Sequence, residues 1–332
     1  MSKPDKIKIT ARNWASLKYN LADELLRLSL SNDKVKKTVE PYDTIYHYTD
    51  LGGLIGILES QNIYSTNINF LNDRKELKHG ISLIENVLKT FETNIENKRI
   101  IESMASNLNK IYETDRYVTC FSRNGDLLSQ WRSYGNDGKG VAIGFCPFHI
   151  EESIYEFVDC MNIMYNESEQ KDVLEEYMKI CIDYFQKQRD LYDWTGFDYD
   201  YLVAEALIYF LEAVIANFKH PSFSEEKEFR IEYRVDGNIN KSDKKTLHFK
   251  NSGSLIVPYL KLVSKFRKRE EETIKNPEMA QHTETEMQFP VKEIILGPSL
   301  DFELNKISLK KLLSNTGYEN VEIKQSEIPY RI

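Results

Sequence analysis

Apolar and polar residues recur along this chain with two different periods. Apolar residues three or four positions apart predict helices at residues 14–30, 51–58, 73–114, 166–219 and 304–313. Alternation of period two, or a short β-branched and aromatic run, predicts strands at residues 44–48, 62–67, 116–122, 141–145, 154–165, 226–235, 244–250, 254–263 and 289–296, with a last strand ending in SEIPYRI. Because strands and helices neither alternate strictly nor segregate, we predict an α+β fold with a mixed, mostly antiparallel sheet.

The same pattern divides the chain into an extension and one larger domain. Residues 1–40 are polar apart from one amphipathic stretch, so we predict an N-terminal helical extension there. Residues 41–332 are predicted to form a single α+β domain with a helical insertion at about 166–220. Residues 264–288 contain almost no large apolar side chains and carry blocks of like charge, which favours a mobile surface loop.

Composition places the chain among ordinary globular proteins. Its 332 residues are 41% apolar and 29% charged, which argues against disorder and against a membrane bundle. The formal net charge is −8, so we do not expect a uniformly basic nucleic-acid binder. No run of ~18 apolar residues occurs, and no apolar segment follows the basic N-terminal residues. We therefore expect neither a membrane span nor a secretory signal.

The cysteines do not have the spacing of a metal site. None of the four belongs to a CxxC pair, and no histidine lies at ligand spacing from Cys120, Cys146, Cys160 or Cys181. Free thiols at scattered positions are typical of proteins in a reducing compartment. We expect no metal ligands in this chain and a cytoplasmic location.

The common phosphate-binding and hydrolase motifs are missing from the sequence. Gly52, Gly53 and Gly56 lie inside a predicted helix and lack the spacing of a dinucleotide-binding turn. The Gly-Lys-Gly run at 138–140 precedes a strand and has no following Ser or Thr, so it is not a P-loop. No HExxH, GxSxG or EF-hand pattern occurs either. The commonest hydrolase, kinase and metalloprotease classes are thereby disfavoured.

Two polar groups of residues stand at the ends of predicted elements in the first third of the chain. His47, Tyr48 and Thr49 end the first strand, and alternation places His47 and Thr49 on one face. A histidine there either hydrogen-bonds a sugar hydroxyl or is an edge histidine without a ligand. Asn72, followed by Glu76, either belongs to a site or begins the next helix as its cap.

A third group lies between residues 129 and 134, just before a glycine-containing turn. Ser129, Trp131, Arg132 and Tyr134 place a hydroxyl, a guanidinium and two aromatic rings within six residues. Such a cluster is suited to stacking a flat ring and holding a phosphate or carboxylate. The competing interpretation is a polar helix whose Trp131 packs inward and whose Arg132 is solvated.

A fourth group lies on the predicted strand 226–235. Glu226, Glu228 and Arg230 share one face of this strand, opposite the apolar residues. Such charges are either solvated on an exposed face or arranged so that the arginine keeps a carboxylate ionised and oriented.

Taken in order, these groups resemble a known family. The motifs are HYT, then FLND..E, CFS…D.LSQWR.YG..G.G.AIGF, F..E.E.R, EIILGP and S.IPYR. They resemble the bacterial domain-of-unknown-function family number 2971 over roughly residues 42–331. Members of that family resemble genes found near bacterial anti-phage and stress modules.

The layout of these residues is also similar to that of ADP-ribosyltransferase-like folds, which place a histidine on the first strand and a glutamate on a later one. By this resemblance His47 would hold the nicotinamide-side ribose of NAD, and Tyr48 or Tyr134 would stack on the nicotinamide. Arg132 would meet the pyrophosphate, and Glu228 would bind the ribose 2′-hydroxyl and orient the acceptor. The sequence has no Ser-Thr-Ser or paired-tyrosine middle motif, so the middle residue is left open.

The resemblance implies an NAD-consuming ADP-ribosyltransferase or NAD glycohydrolase, acting in a toxin or antiviral defence system. Glu228 and His47 would be catalytic, NAD the substrate, and a protein or nucleic acid the acceptor. The remaining expected ligand-binding residues are Tyr48, Thr49, Asn72, Ser129, Trp131, Arg132, Tyr134, Glu226 and Arg230. The alternative is a non-catalytic nucleotide-sensing or protein-interaction module. Convergence of His47, Trp131 or Tyr134, and Glu228 on one cleft favours the enzyme, and their dispersal favours the alternative.

Overall fold

The computed structural model describes residues 6–31, 44–71, 76–91, 97–113, 115–146, 158–235, 247–263, 265–267, 284–286 and 288–330. The chain divides into two compact units. The helical unit comprises Met1–Glu40, Asn72–Thr114 and Asn162–Ser224. The sheet unit comprises Pro41–Leu71, Asp115–Met161 and Glu225–Ile332.

The secondary structure is numbered in chain order through both units. The helices are α1 (Ala11–Ser31), α2 (Leu51–Ser60), α3 (Glu76–Phe91), α4 (Lys98–Asn107), α5 (Leu128–Ser133), α6 (Glu167–Arg189), α7 (Tyr199–Ile215) and α8 (Phe302–Asn315). The strands are β1 (Ile7–Lys8), β2 (Ile45–Thr49), β3 (Asn62–Asn67), β4 (Asp115–Ser122), β5 (Val141–Phe145), β6 (Val158–Asn162), β7 (Tyr192–Asp193), β8 (Glu228–Val235), β9 (His248–Ser252), β10 (Leu255–Val263), β11 (Lys265–Arg267), β12 (Glu284–Glu286), β13 (Val291–Leu296) and β14 (Glu322–Gln325). No helix in these described ranges is long and apolar enough to cross a membrane.

The helical unit is built from α1, α3, α4, α6 and α7. The apolar stripe predicted for the second half of 166–219 is buried, as Val203, Leu207 and Leu211 show. Polar caps explain where two of the helices begin: the side chain of Asn166 accepts hydrogen bonds from the first turn of α6, and that of Asp198 does the same for α7. The predicted N-terminal extension and helical insertion both fall within this unit.

The sheet unit confirms the predicted fold class, an α+β arrangement with a mixed, mostly antiparallel sheet. Its ten described strands run in the order β14-β13-β5-β2-β4-β3-β10-β9, and β8 pairs with both β4 and β6. The pair β13–β14 is parallel, whereas β2–β5, β2–β4, β3–β4, β4–β8 and β5–β13 are antiparallel. Helices α2 and α8 contribute Leu58 and Leu313 to a core on one face of the sheet.

The sheet forks at β4. Strand β2 pairs with β4 only at Tyr46 and Ser122, whereas β3 pairs with it at Val118 and Tyr117. Between these two contacts, β3 and β4 are joined by a side-chain hydrogen bond: the hydroxyl oxygens of Ser65 and Thr119 are 2.8 Å apart. The fork is therefore an interruption between the β2–β5–β13–β14 arm and the β3–β10–β9 arm.

Several element boundaries differ from those predicted. The strand expected at 154–165 is described only at Val158–Asn162, and the strand expected at 244–250 is shifted to His248–Ser252. The final strand ends at Gln325, before the SEIPYRI segment. The stretch expected to be a loop carries β11 and β12 at its ends, and the residues between them lie outside the described ranges. Backbone pairing does not require apolar side chains, so the absence of a hydrophobic pattern concealed these two strands.

Candidate functional site

Strand register decides which candidate residues share a face of the sheet. Tyr46 lies opposite Ser122 on β4, and Ser122 lies opposite Glu228 on β8. Paired residues point to the same face, so these three side chains form one row across β2, β4 and β8. His47 follows Tyr46 in β2 and therefore points to the other face. The structure does not bring His47 and Glu228 together.

His47 lies at the fork and is half-buried. Its ring centroid is 5.8 Å from that of Phe121, which belongs to the core that Leu58 and Leu313 help to form. Its Nδ1 lies 3.1 Å from the carbonyl oxygen of Cys120. Burial lowers the pKa of the imidazole below its ordinary value of 6.5, the hydrogen bond to Cys120 opposes this shift, and the charge of Lys250 adds to it. The ring is therefore neutral at pH 7.

This hydrogen bond also defines the tautomer of His47. A carbonyl oxygen only accepts, so Nδ1 must carry the proton that it donates to Cys120. In a neutral ring Nε2 then has a lone pair and is an acceptor. Nε2 has no hydrogen-bond partner among the described residues. His47 can thus accept a hydrogen bond from a hydroxyl group of a ligand.

Thr49 packs against the beginning of α2. The side chain of Asp50 accepts a hydrogen bond of 2.6 Å from Gly53 N, which caps the helix. A Cβ atom at position 53 would overlap the Thr49 hydroxyl oxygen, so a side chain there would collide with it. Thr49 therefore has a packing role on the face that it shares with His47.

Glu228 is almost completely buried, with 4% of its surface exposed. Its Oε1 accepts two hydrogen bonds from Arg230, of 2.9 Å from Nε and 2.7 Å from Nη2. Glu226 precedes β8, and its carbonyl oxygen accepts from the hydroxyl of Ser122 at 2.8 Å. The charged face of β8 is buried, and Arg230 pairs with Glu228, which is the second of the two arrangements that the sequence left open.

Tyr48 and Trp131 belong to a small core on the face of the sheet opposite α2. Their rings meet edge to face, 4.8 Å apart. The Tyr48 hydroxyl donates to Asn124 O at 2.8 Å, and the Trp131 indole donates to Asp126 Oδ1 at 2.7 Å. Both rings are thus occupied within the protein, and Trp131 is fully buried, in the inward-packed arrangement that the sequence left as an alternative.

The other residues of the third group lie on α5 or directly after it, next to Trp131 in the chain. Ser129 is half-buried on α5, and Tyr134 is 39% exposed. Arg132 is exposed and acts electrostatically on Tyr330, whose hydroxyl donates to Asp137 at 2.7 Å. Asn72 lies outside the described residues.

A cluster that the sequence did not predict lies on the β3–β10–β9 arm. We call Tyr64, Thr66, His248, Lys250 and Tyr259 the Lys250 cluster. The Lys250 ammonium donates to the Thr66 hydroxyl at 3.2 Å and lies 6.0 and 5.9 Å from the ring centroids of Tyr64 and Tyr259. Alternation in β3 and β10 places both tyrosines on one face, but no sequence pattern pairs them with a lysine of a distant strand.

The described residues contain no group of three histidine, cysteine or acidic side chains arranged to hold a metal ion. Two features of these ranges are candidates for binding a ligand: the neutral His47 at the fork, and the Lys250 cluster on the opposite face of the sheet.

Fold and site define a mixed α+β protein with a forked sheet and a neutral histidine at the fork. A model of the family described as "Protein of unknown function (DUF2971)" matches residues 130–231, which supports the resemblance that the motifs indicated. This stretch begins in α5 and ends within β8, so it includes Trp131 and Glu228 but not His47. Neither the curated proteins nor the solved structures contain a significant match to the chain.

Proposed function

We propose that the sheet unit is a nucleotide-recognition module that binds NAD or a related nucleotide without cleaving it. The observation that carries the proposal is that His47 Nε2 is free to accept a hydrogen bond. It is an acceptor on a neutral ring, held in place by Cys120, and it has no partner among the described residues. A ribose hydroxyl is the donor that the resemblance to ADP-ribosyltransferase-like proteins suggests.

The dispersal of the other candidate residues favours recognition over turnover. Cleaving the N-glycosidic bond of NAD develops positive charge on the ribose, which a carboxylate must approach. Glu228 points to the opposite face from His47, and Arg230 already holds one of its oxygens. Trp131 and Tyr48 are occupied in the small core. In the setting that we propose, a cytoplasmic defence system, the module would report nucleotide levels to a partner.

We expect calorimetry to detect NAD binding to the full chain and to show that His47→Phe weakens it. Phenylalanine keeps an aromatic ring beside Phe121 but removes the acceptor. The loss of one hydrogen bond, ~0.5–1.5 kcal/mol, corresponds to an increase in Kd of up to about tenfold. The control is His79→Phe in the helical unit, which should bind as the natural chain does. Absence of binding to the natural chain, or equal affinity of His47→Phe, would contradict the proposal.

A second candidate function is NAD cleavage, and one observation favours it. Strands β2, β4 and β8 are neighbours, so Tyr46, Ser122 and Glu228 lie in one row. This adjacency resembles the histidine, hydroxyl and glutamate strands of ADP-ribosyltransferase-like folds, with Tyr46 in the place expected for His47. A carboxylate in such a row could stabilise the developing charge if NAD reached this face.

Release of free nicotinamide by the same protein samples separates the two candidates. Glu232→Gln is the matched control for Glu228→Gln, because Glu232 lies on the same face of β8 in an ion pair of similar burial with Arg116. Nicotinamide release that Glu228→Gln abolishes and Glu232→Gln preserves would establish cleavage and overturn the recognition proposal. No release from a chain that binds NAD supports recognition.

A further inference from the structure

The side chain of Lys250 crosses a neighbouring strand. Lys250 on β9 lies opposite Val257 on β10, yet its ammonium reaches Thr66 on β3, on the far side of β10. It passes the ring of Tyr259 on the way and ends beside Tyr64. The ammonium is therefore held at a fixed place on the sheet, above two aromatic rings, rather than extended into solvent.

This ammonium has no acidic partner within the described ranges. Its contacts there are one neutral hydroxyl and two tyrosine rings. Burial of the group lowers the pKa of Lys250 below its ordinary value. A half-buried cation without a counterion is costly in a protein, and an anion that supplies the missing charge is favoured there.

Two aromatic rings lie beside the ammonium, and a third stacks on one of them. The ring of His248 stacks on that of Tyr259 at 5.4 Å and 28°, and the ring of Tyr259 lies 4.3 Å from that of Tyr64 at 33°. Tyr64 is the outermost of the three and is 43% exposed. An exposed aromatic ring beside a cation offers a stacking surface for a planar ring such as a nucleobase.

We propose that Lys250 binds a phosphate group of a nucleotide and that Tyr64 stacks on its base. The assignment goes beyond the proposed function, because strand register places Thr66 and Tyr259 on the face of the sheet that carries Glu228, opposite to His47. The two contacts can be tested separately. A nucleoside without a phosphate would lack the contact with Lys250, and inorganic pyrophosphate would lack the contact with Tyr64. The chain as a whole is anionic, with a net charge of −8, so attraction of a phosphate must be local.

The test compares adenosine, AMP, pyrophosphate and NAD on five forms of the full chain. They are the natural chain, Lys250→Met, Lys250→Arg, Tyr64→Leu and Lys292→Met. The last is the matched control, because Lys292 also donates to a threonine hydroxyl, that of Thr44 at 2.9 Å, on the other arm of the sheet. Circular dichroism melting establishes that each form is folded, and Lys250→Arg tests whether the charge alone suffices.

We expect the natural chain and Lys292→Met to bind AMP about tenfold or more tightly than adenosine, a difference typical of a charge-assisted contact. Lys250→Met should lose this preference for AMP and should no longer be stabilised by pyrophosphate. Tyr64→Leu should bind adenosine more weakly than the natural chain and bind pyrophosphate equally well. Lys250→Arg should retain most of the preference.

Two results would overturn the inference: an unchanged preference for AMP in Lys250→Met, or no response of the natural chain to pyrophosphate and AMP. Failure of the proposed function has a different signature. In that case NAD affinity would not depend on His47, while pyrophosphate would still bind through Lys250.

Discussion

Replacing Glu232 with leucine is expected to lower the free energy of unfolding by about 3–5 kcal/mol. Glu232 and Arg116 form an ion pair of 3.0 Å between β8 and β4, and both side chains are completely buried. Removing the carboxylate takes the charge of Glu232 away from a guanidinium that stays buried, which is costlier than the loss of the bond itself. Urea denaturation of the full chain measures the change.

The double variant Arg116→Met, Glu232→Leu distinguishes two effects. One is the cost of burying the Arg116 charge without Glu232, and the other is the contribution of the ion pair to stability. Apolar residues of similar volume often replace a buried pair without loss, so the double variant should recover most of the stability. Equal losses in the single and double variants would show that the pair itself stabilises the sheet. A single variant as stable as the natural chain would contradict the buried pairing.

Trp131→Ala is expected to reduce stability by about 3–5 kcal/mol, because it leaves a large cavity in the small core. Trp131 is fully buried against Tyr48, and its indole nitrogen is bound to Asp126. Asp126 also accepts hydrogen bonds from Ser326 Oγ at 2.5 Å and Glu327 N at 2.7 Å, so the cavity would loosen the C-terminal segment as well. Urea denaturation is again the measurement.

The control for Trp131 is Tyr134→Ala, at the residue directly after the end of α5. Tyr134 is 39% exposed, so its removal should change stability little. Trp131→Phe fills part of the cavity and should bind NAD as the natural chain does. Loss of NAD binding in a folded Trp131→Phe protein would contradict the assignment of Trp131 to the core and would favour a stacking role.

The alternation of residues in β8 allowed the burial of one face of the strand to be predicted, but not that of the other. Its period correctly placed Phe229, Ile231 and Tyr233 on a buried face. The same period could not reveal that the charged face is also buried, because the partners of its charges are set by the tertiary structure. Arg230 pairs with Glu228 along the strand, and Arg116 of the neighbouring β4 pairs with Glu232.

Strand register explains why the expected pairing of His47 with Glu228 was not predictable. A shift of one residue moves every side chain of a strand to the other face. The sequence identified β2 and β8 but held no information about the pairing of Tyr46 with Ser122, which places His47 opposite to Glu228. The Lys250 cluster was missed for a related reason, since it joins side chains of β3 to those of the β9–β10 hairpin, which is far from β3 in the chain.

The lowered pKa of His47 makes the stability of the fold depend on pH. The unfolded chain takes up a proton on this ring near pH 6.5, whereas the folded chain does so only at lower pH. Stability contributed by the neutral ring is therefore complete above pH 6.5 and falls as the pH is lowered from there towards the folded pKa. Nucleotide binding through Nε2 should weaken in the same direction, because protonation removes the acceptor.

The most direct measurement is nitrogen-15 NMR of the histidine side chains of the full chain, titrated from pH 8 to pH 5 (about three units) with and without NAD. His47→Phe identifies the resonances of interest. We predict a neutral His47 ring at pH 7 with the proton on Nδ1, a titration midpoint below 6.5, and a change at Nε2 when NAD is added. A charged ring at pH 7, a proton on Nε2, or an Nε2 resonance that saturating NAD leaves unchanged would contradict recognition of a nucleotide at the fork.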